Sequence, residues 1–289
     1  MKTLVIATSF REFRGTENDY IQYHFLSSLK RLKGLKVKLV VTIFNEKNVK
    51  KKVRSFFKDA IFIENKAYRK HSEIRYSQTE VFANGLKFSK KCNAAFLCWS
   101  TCDIIFPENF LVNLPQSNDN KSRLIISHPH NFLDQNGFVE QYPITVSGLD
   151  FLVFTNPSNI YKKLYALNET YPNYNWGLFE HFLVAFSEIL GLEKLNISNI
   201  SQIIKFENKK EISFDSKLWT DKSWRINAQT LNKLVKRYNL NILYIYSCWF
   251  MSFKCSGYFY ILRPTNLFSI TKWFVIEFFK YIAKITRRM

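Results

Sequence analysis

Asp103 is the side chain best placed to do chemistry. It stands in the stretch Asn93 to Leu114, NAAFLCWSTCDIIFPENFLVNL, where an apolar run from Ala94 to Trp99 gives way to the small polar cluster Ser100-Thr101-Cys102-Asp103. Ile104-Ile105-Phe106-Pro107 follows, and then a new apolar, helix-like segment. A buried strand that delivers one carboxylate at its C-terminal end, just before a Pro-marked turn, is where open α/β sheets place ligand chemistry. The plain alternative is a turn aspartate that caps the next segment. His128 and His130 lie two apart at a predicted strand end, so in extended chain they face the same side. That spacing suits a metal ligand or a phosphate contact, or simply a structural pair of loop histidines. Glu17 and Asp19 follow the first predicted strand, where nucleotide contacts occur, and a helix N-cap at Asn18 or Asp19 is their simpler role.

The elements that must position these residues alternate in the first half of the chain. Leu4 to Thr8 reads as a strand, followed by a polar loop from Arg11 to Asn18. Ile21, Phe25, Leu29 and Leu32, spaced by four, four and three, predict a helix that ends at Lys33-Gly34. Val37 to Phe44 and Ala60 to Ile63 are the next two strands, Tyr76 to Lys90 a helix with Val81, Leu86 and Phe88 inward, and Ala94 to Trp99 the fourth strand. That β-α-β-α order predicts an α/β protein with a mainly parallel, doubly wound sheet. Beyond Asp103 we expect strands at Leu124 to Ser127 and Leu149 to Phe154, the latter breaking at Asn156-Pro157. We also expect an aromatic loop from Tyr165 to Trp176 and a helix from Leu178 to Leu190 stopped by Gly191. Residues 196–217 read as irregular or hairpin-like, and Asn239 to Tyr246 as a last strand.

Composition narrows the function classes. With 47% hydrophobic and 17% aromatic residues the 289-residue chain is not disordered and can bury a large core. No apolar run approaches the roughly 20 residues needed to span a bilayer. Met1-Lys2 leads straight into the first strand, without a secretory signal. The five cysteines, Cys92, Cys98, Cys102, Cys248 and Cys255, are odd in number and contain no Cys-x-x-Cys pair. Free or buried thiols in the cytoplasm fit better than a disulfide frame or a zinc site. The formal charge of +19 implies nucleic acid, an anionic membrane face or a phosphate-bearing substrate. Between Lys30 and Lys70 fourteen Lys or Arg face three acids, with Lys50-Lys51-Lys52 at the centre. No helix-turn-helix, zinc-finger or RNA-recognition signature accompanies them.

Taken together, these segments resemble nucleotide-sugar glycosyltransferases of the A-type fold, of the kind that builds bacterial capsule or lipopolysaccharide. The likeness covers roughly residues 1–190. Leu4 to Ser9 is similar to the first strand and nucleotide-contacting turn of that family, and Ile21 to Leu29 to its first helix, in which a Gln precedes a Leu-rich face. Val40 to Glu46 occupies the place of the second strand and its acidic end. Ala83-Asn84-Gly85-Leu86 sits where the family carries an Arg-Asn-x-Gly helix, and Ser100 to Asp103 falls on its Asp-x-Asp motif. Thr101-Cys102-Asp103 keeps only the second aspartate.

The resemblance implies a site. Thr8, Ser9, Asn45, Glu46, Asn84, Thr101 and Asp103 would contact the donor, and Asp103 would hold a divalent cation, Mn or Mg, on its diphosphate. With one carboxylate and a Thr hydroxyl that grip is weaker, and Lys or Arg neutralising the diphosphate is the alternative. An inverting transfer needs a base for the acceptor hydroxyl. The family's acid at a helix start after an aromatic, Gly-containing loop matches Glu180, with His181 beside it, in Asn175 to His181. Glu180 as a first-turn carboxylate on the helix dipole is the plain reading. The expected organisation is an α/β domain over 1–262, with a nucleotide-binding half to about 115 and an acceptor half to about 262. A C-terminal helical extension over 263–289 follows, a basic amphipathic helix.

Phe268, Trp273, Phe274, Phe278 and Ile282, interleaved with Lys272, Lys280, Lys284, Arg287 and Arg288, suit a helix lying on an anionic inner-membrane surface. The expected partners are a nucleotide-sugar donor and a glycan or lipid-linked glycan acceptor, with no nucleic acid. Two other readings compete: a catalytically inactive relative that scaffolds an assembly at the membrane, and a basic nucleic-acid-binding protein.

Overall fold

The computed structural model describes residues 1–15, 17–44, 46–65, 77–112, 114, 120–127, 130–135, 138–142, 151–173, 179–197, 204–206 and 222–240. Asn45, His128 and the segment 263–289 lie outside them, as does the proposed strand from residue 241 onward. The chain is α/β. Strands β1 (Lys2–Thr8), β2 (Leu35–Ile43), β3 (Ile61–Glu64), β4 (Phe96–Ser100), β6 (Arg123–Ile126), β9 (Phe151–Thr155) and β10 (Glu193–Asn196) form one sheet in the order β10-β6-β9-β4-β1-β2-β3. β9 alone runs antiparallel to its neighbours. A second sheet, ordered β5-β11-β7-β8, joins β5 (Ile104–Ile105), β11 (Ile204–Phe206), β7 (His130–Gln135) and β8 (Phe138–Tyr142).

Alternation along the strands makes two cores, because successive side chains in a strand point to opposite faces. Leu4 and Ile6 of β1 enter one core, while Val5 and Ala7 enter the other. β4 divides likewise, with Phe96 and Cys98 on the first side and Leu97 and Trp99 on the second. The first core is covered by α1 (Glu17–Lys30) and α2 (Val49–Phe56). The second is covered by α3 (Gln78–Lys91), α4 (Pro157–Thr170), α5 (Phe179–Ile189) and α6 (Lys222–Arg237). Helices on both faces explain why the strands read as continuous apolar runs: neither face meets water. Each fully buried large side chain contributes about 1.5–3 kcal/mol to the folded state, so this double layer carries the fold.

Several segments differ from the sequence expectation. Tyr165 to Thr170 is not loop but the last part of α4. Pro157 occupies the first helical turn, where its missing N–H costs nothing, so Asn156-Pro157 ends a strand and starts a helix. Ile160, Leu164 and Leu167 then recur at i, i+4 and i+7 and pack into the second core. No element is expected from sequence at the Lys50-Lys51-Lys52 run; Val49 and Val53 at i and i+4 are buried and turn it into α2. α6 was not anticipated, although Leu231, Leu234 and Val235 carry helical spacing and are buried. The helix-like stretch after Pro107 forms turns instead, with Leu111 at φ 63°. β10 and β11 belong to different sheets, so these two strands do not pair with each other as a hairpin. Asn239 and Leu240 follow α6 as a turn and an irregular residue, with Asn239 at φ 50°. No helix among the described residues is long and apolar enough to cross a membrane.

Candidate active site

The chain winds outward from β1 through β2 to β3, then returns to the other side of β1 as β4. That reversal makes a topological switch point between β1 and β4, and open α/β sheets bind ligands in the crevice at the C-terminal ends of such strands. Ala7 is in register with Trp99. Thr8 and Ser9 therefore leave the sheet beside Ser100 and the turn that follows it. Asp103 lies in that turn, three residues past β4 rather than on the strand itself, and is half-buried. Its Oδ1 accepts the Thr101 hydroxyl. Thr101 and Asp103 thus form one unit.

Helix α1 fastens both edges of the crevice. Gln22 Oε1 accepts the Arg11 backbone N–H at 2.8 Å and the Cys102 thiol at 3.5 Å. It links the loop after β1 to the turn after β4. Asp19, buried, accepts the backbone N–H groups of Arg14 at 3.2 Å and Gly15 at 2.5 Å. This is a loop-closing role rather than an N-cap. Further along α1, the Ser28 hydroxyl accepts the Phe106 N–H at 3.2 Å, and just past the helix Lys33 N–H donates to the Glu108 carbonyl at 2.8 Å. Burial first, and then the Asp103 charge, push the Cys102 thiol up to about 12, while Arg11 opposes them. Asp103 and Arg11 are therefore both within electrostatic reach of that sulfur, a carboxylate and a guanidinium at the same crevice.

The remaining expected residues are distributed around the same sheet edge. Thr8 is fully buried, with its hydroxyl on the Ser9 carbonyl at 3.3 Å. Glu46 turns back to accept the Phe44 N–H at 2.8 Å, closing the end of β2. Asn84 donates to Thr42 Oγ1 at 3.0 Å, so its amide joins α3 to β2. Gly85 beside it lets α3 approach β1 and β4: a Cβ there would collide with Ala7 and meet Leu97 Cδ1 at 3.1 Å. Glu180 and His181 start α5, which runs back across the sheet from this edge, with Phe179 edge-on to Trp99 at 5.1 Å between ring centroids. Glu180 Oε1 is 3.5 Å from His181 Nδ1. His130 opens β7 opposite Ile204.

Three buried polar groups at this edge have no hydrogen-bond partner among the described residues: Gln22 Nε2, Ser127 Oγ just past β6, and both ring nitrogens of His181. Leaving such a group unpaired costs about 1–3 kcal/mol, and a polar ligand or water is the ordinary remedy. Neither Gln22 nor Ser127 stood out as a site residue in the sequence. The signals for Gln22 are its place one residue into the apolar spacing of the first helix and the Gln before a Leu-rich face in the helix that this segment resembles. As for a metal, no three His, Cys, Asp or Glu side chains cluster among the described residues. Asp103 with Thr101 does not form a protein-only cage. It does fit a Mg or Mn ion delivered on a diphosphate, which needs only one or two carboxylates and takes its other ligands from phosphate and water.

No protein-family model matches the chain, and no curated protein matches it. Solved structures similar to it include the inositol-1-phosphate CTP transferase from T. maritima, at 16% identity and TM-score 0.42, covering 81% of this chain and 95% of that one. 4-Diphosphocytidyl-2C-methyl-D-erythritol synthase is similar at 15% identity and TM-score 0.44, covering 76% and 99%. Glucosyl-3-phosphoglycerate synthase from Mycobacterium tuberculosis, solved with Mn2+, UDP and glucosyl-3-phosphoglycerate, is similar at 13% identity and TM-score 0.45, covering 83% and 81%. These likenesses are remote, every TM-score lying below 0.5.

Proposed function

We propose that the protein is a glycosyltransferase that moves a sugar from a nucleotide-sugar donor to a bacterial surface glycan of the capsule or lipopolysaccharide kind. The observation that carries this reading is the crevice at the β1/β4 switch point, where the Thr8-Ser9 strand end meets the Thr101–Asp103 turn. The nucleotide lies along the loop after Ser9, near Glu46 and Asn45. Asp103, with the Thr101 hydroxyl beside it, would hold a divalent cation on the diphosphate, which when bound would supply positive charge against the charge that develops on the leaving group. Arg11, whose charge reaches Cys102 in the same turn, supplements it. Glu180 takes the proton of the acceptor hydroxyl as it attacks the anomeric carbon, with His181 beside it as the second candidate for that role. The acceptor is lipid-linked, and the chain works at the cytoplasmic face of the membrane.

Thermal stabilisation by a panel of nucleotide sugars, with and without manganese, followed by transfer assays with the stabilising donor, tests the reading. One donor should stabilise the protein more with manganese and turn over. If no nucleotide sugar stabilises it, the reading is wrong. Thr101 in place of the first motif carboxylate also favours a catalytically silent, donor-binding scaffold. Stabilisation without turnover selects that reading.

A further inference from the structure

We infer that α2 and the residues flanking it form a docking face for an anionic lipid surface, separate from the crevice and independent of the transfer proposed above. Along residues 30–64 eleven Lys and Arg stand against three acids, Glu46, Asp59 and Glu64. On α2 the sorting is complete: Val49 and Val53 are buried, while Lys50, Lys51, Lys52 and Arg54 are exposed, as are Lys47 before the helix and Lys58 after it. Lys50 pairs with Glu64. Among the described residues no carboxylate pairs with Lys47, Lys51, Lys52, Arg54 or Lys58.

Aromatic rings fix the array. Lys30 Nζ sits 5.2 Å from the Phe56 ring centroid, Lys52 Nζ 5.9 Å from Tyr23, and the Arg54 guanidinium 5.3 Å from Phe62. Tyr23 and Phe56 are themselves stacked at 5.7 Å. Cations held over rings lose less freedom when they meet a charged surface. A cluster of four to eight Lys or Arg on an amphipathic helix matches the charge density of anionic headgroups and needs no shaped groove. A nucleic-acid reader would instead offer aromatic faces to bases; here Tyr23, Phe56 and Phe62 are half-buried and already covered by cations. The pairing of Lys50 with Glu64, the last residue of β3, sets the face against the same strand-end edge that carries Asp103. Docking by α2 would keep the crevice close to the lipid.

Flotation of the full-length chain with phosphatidylglycerol vesicles, against phosphatidylcholine vesicles, tests this. Each basic side chain near an anionic surface multiplies partitioning roughly fivefold. Lys51→Gln, Lys52→Gln and Arg54→Gln together should therefore lower binding to phosphatidylglycerol by about a hundredfold, with the melting temperature kept. The Lys51→Arg and Lys52→Arg pair should bind as the parent does. Should the triple variant fail to fold, Lys47→Gln with Lys58→Gln provides the same test, with about a twentyfold loss. The inference is overturned if the parent does not float, if it floats equally on phosphatidylcholine, or if neutralising α2 leaves flotation unchanged. It is overturned as well if single-stranded RNA binds more tightly than the vesicles through these lysines.

Discussion

Phe179, the first residue of α5, stands edge-on to Trp99 of β4, with ring centroids 5.1 Å apart and planes at 63°. Trp99 is the penultimate residue of β4 and donates its indole N–H to Gln78 Oε1 at 2.9 Å, which fixes its ring. An aromatic pair of this geometry contributes about 0.5–1.5 kcal/mol beyond its burial. It brings the start of α5, and with it Glu180, to the end of the strand whose following turn carries Asp103. Nearly eighty residues of chain separate the two carboxylates in the sequence. The contact between two buried rings is what relates them.

The first prediction concerns Asp103. Asp103→Asn keeps an oxygen to accept the Thr101 hydroxyl but removes the charge on which a diphosphate-borne cation depends. Transfer should fall by roughly a hundredfold or more, and manganese should no longer add to thermal stabilisation by the donor. The melting temperature without ligand should stay close to that of the parent. Undiminished turnover would remove Asp103 from the site.

Glu180→Gln separates binding from chemistry. As the acceptor base, Glu180 contributes to kcat and not to donor affinity, so kcat should drop between about a hundredfold and ten-thousandfold with donor KM little changed. A rise in KM at constant kcat would make Glu180 a binding residue only.

Gly85→Ala should destabilise the fold without touching chemistry. The added methyl would run into Ala7 and stand 3.1 Å from Leu97 Cδ1, forcing α3 away from β1. Overpacking of this kind costs about 1–3 kcal/mol, readable as a lower denaturant midpoint with an unchanged slope. A variant as stable as the parent would show that α3 and β1 do not pack this closely.

Glu80 on α3 gives a pH-dependent test. Burial first, then the neighbouring Glu169 charge, raise its carboxyl above the ordinary value, with Lys87 pulling the other way. A group with a raised folded pKa holds its proton more tightly in the native state. Its contribution is therefore fullest below the ordinary carboxyl pKa and is lost as pH rises through the folded one. Glu80→Gln, which mimics the protonated form, should raise the melting temperature near pH 7 and leave it unchanged near pH 4. A lower melting temperature at neutral pH would mean that the Lys87 attraction outweighs burial.

Local information carried far in the first hundred residues. Apolar runs long enough for strands, Phe25 and Leu29 at helical spacing, Gly34 at φ 70° just past α1 and Gly191 at φ 63° past α5 mark elements that short-range physics decides. What escaped were elements with mixed signals. α2 hides two buried valines among four cations, and α4 begins at a proline that equally well ends a strand. α6 has its buried face interrupted by Asn227. In each, packing against the rest of the fold outweighs a weak local preference.

For the site the division is sharper. The sequence by itself determined that a carboxylate follows a buried strand, that Thr101 precedes it by two, and that Glu180 opens a helix, because these are matters of order along the chain. Only the tertiary structure decided that β4 returns to lie beside β1 and sets Asp103 next to the Ser9 loop. It alone decided that Gln22, bonded to Arg11, also reaches Cys102 eighty residues on, that Asn84 is committed to Thr42, and that Phe179 brings Glu180 to the same edge. Hydrogen bonds and ring contacts between distant segments depend on strand order and register. A sheet's order is set by which faces can be buried together, a property of the whole assembly of strands and helices and of no single stretch of it.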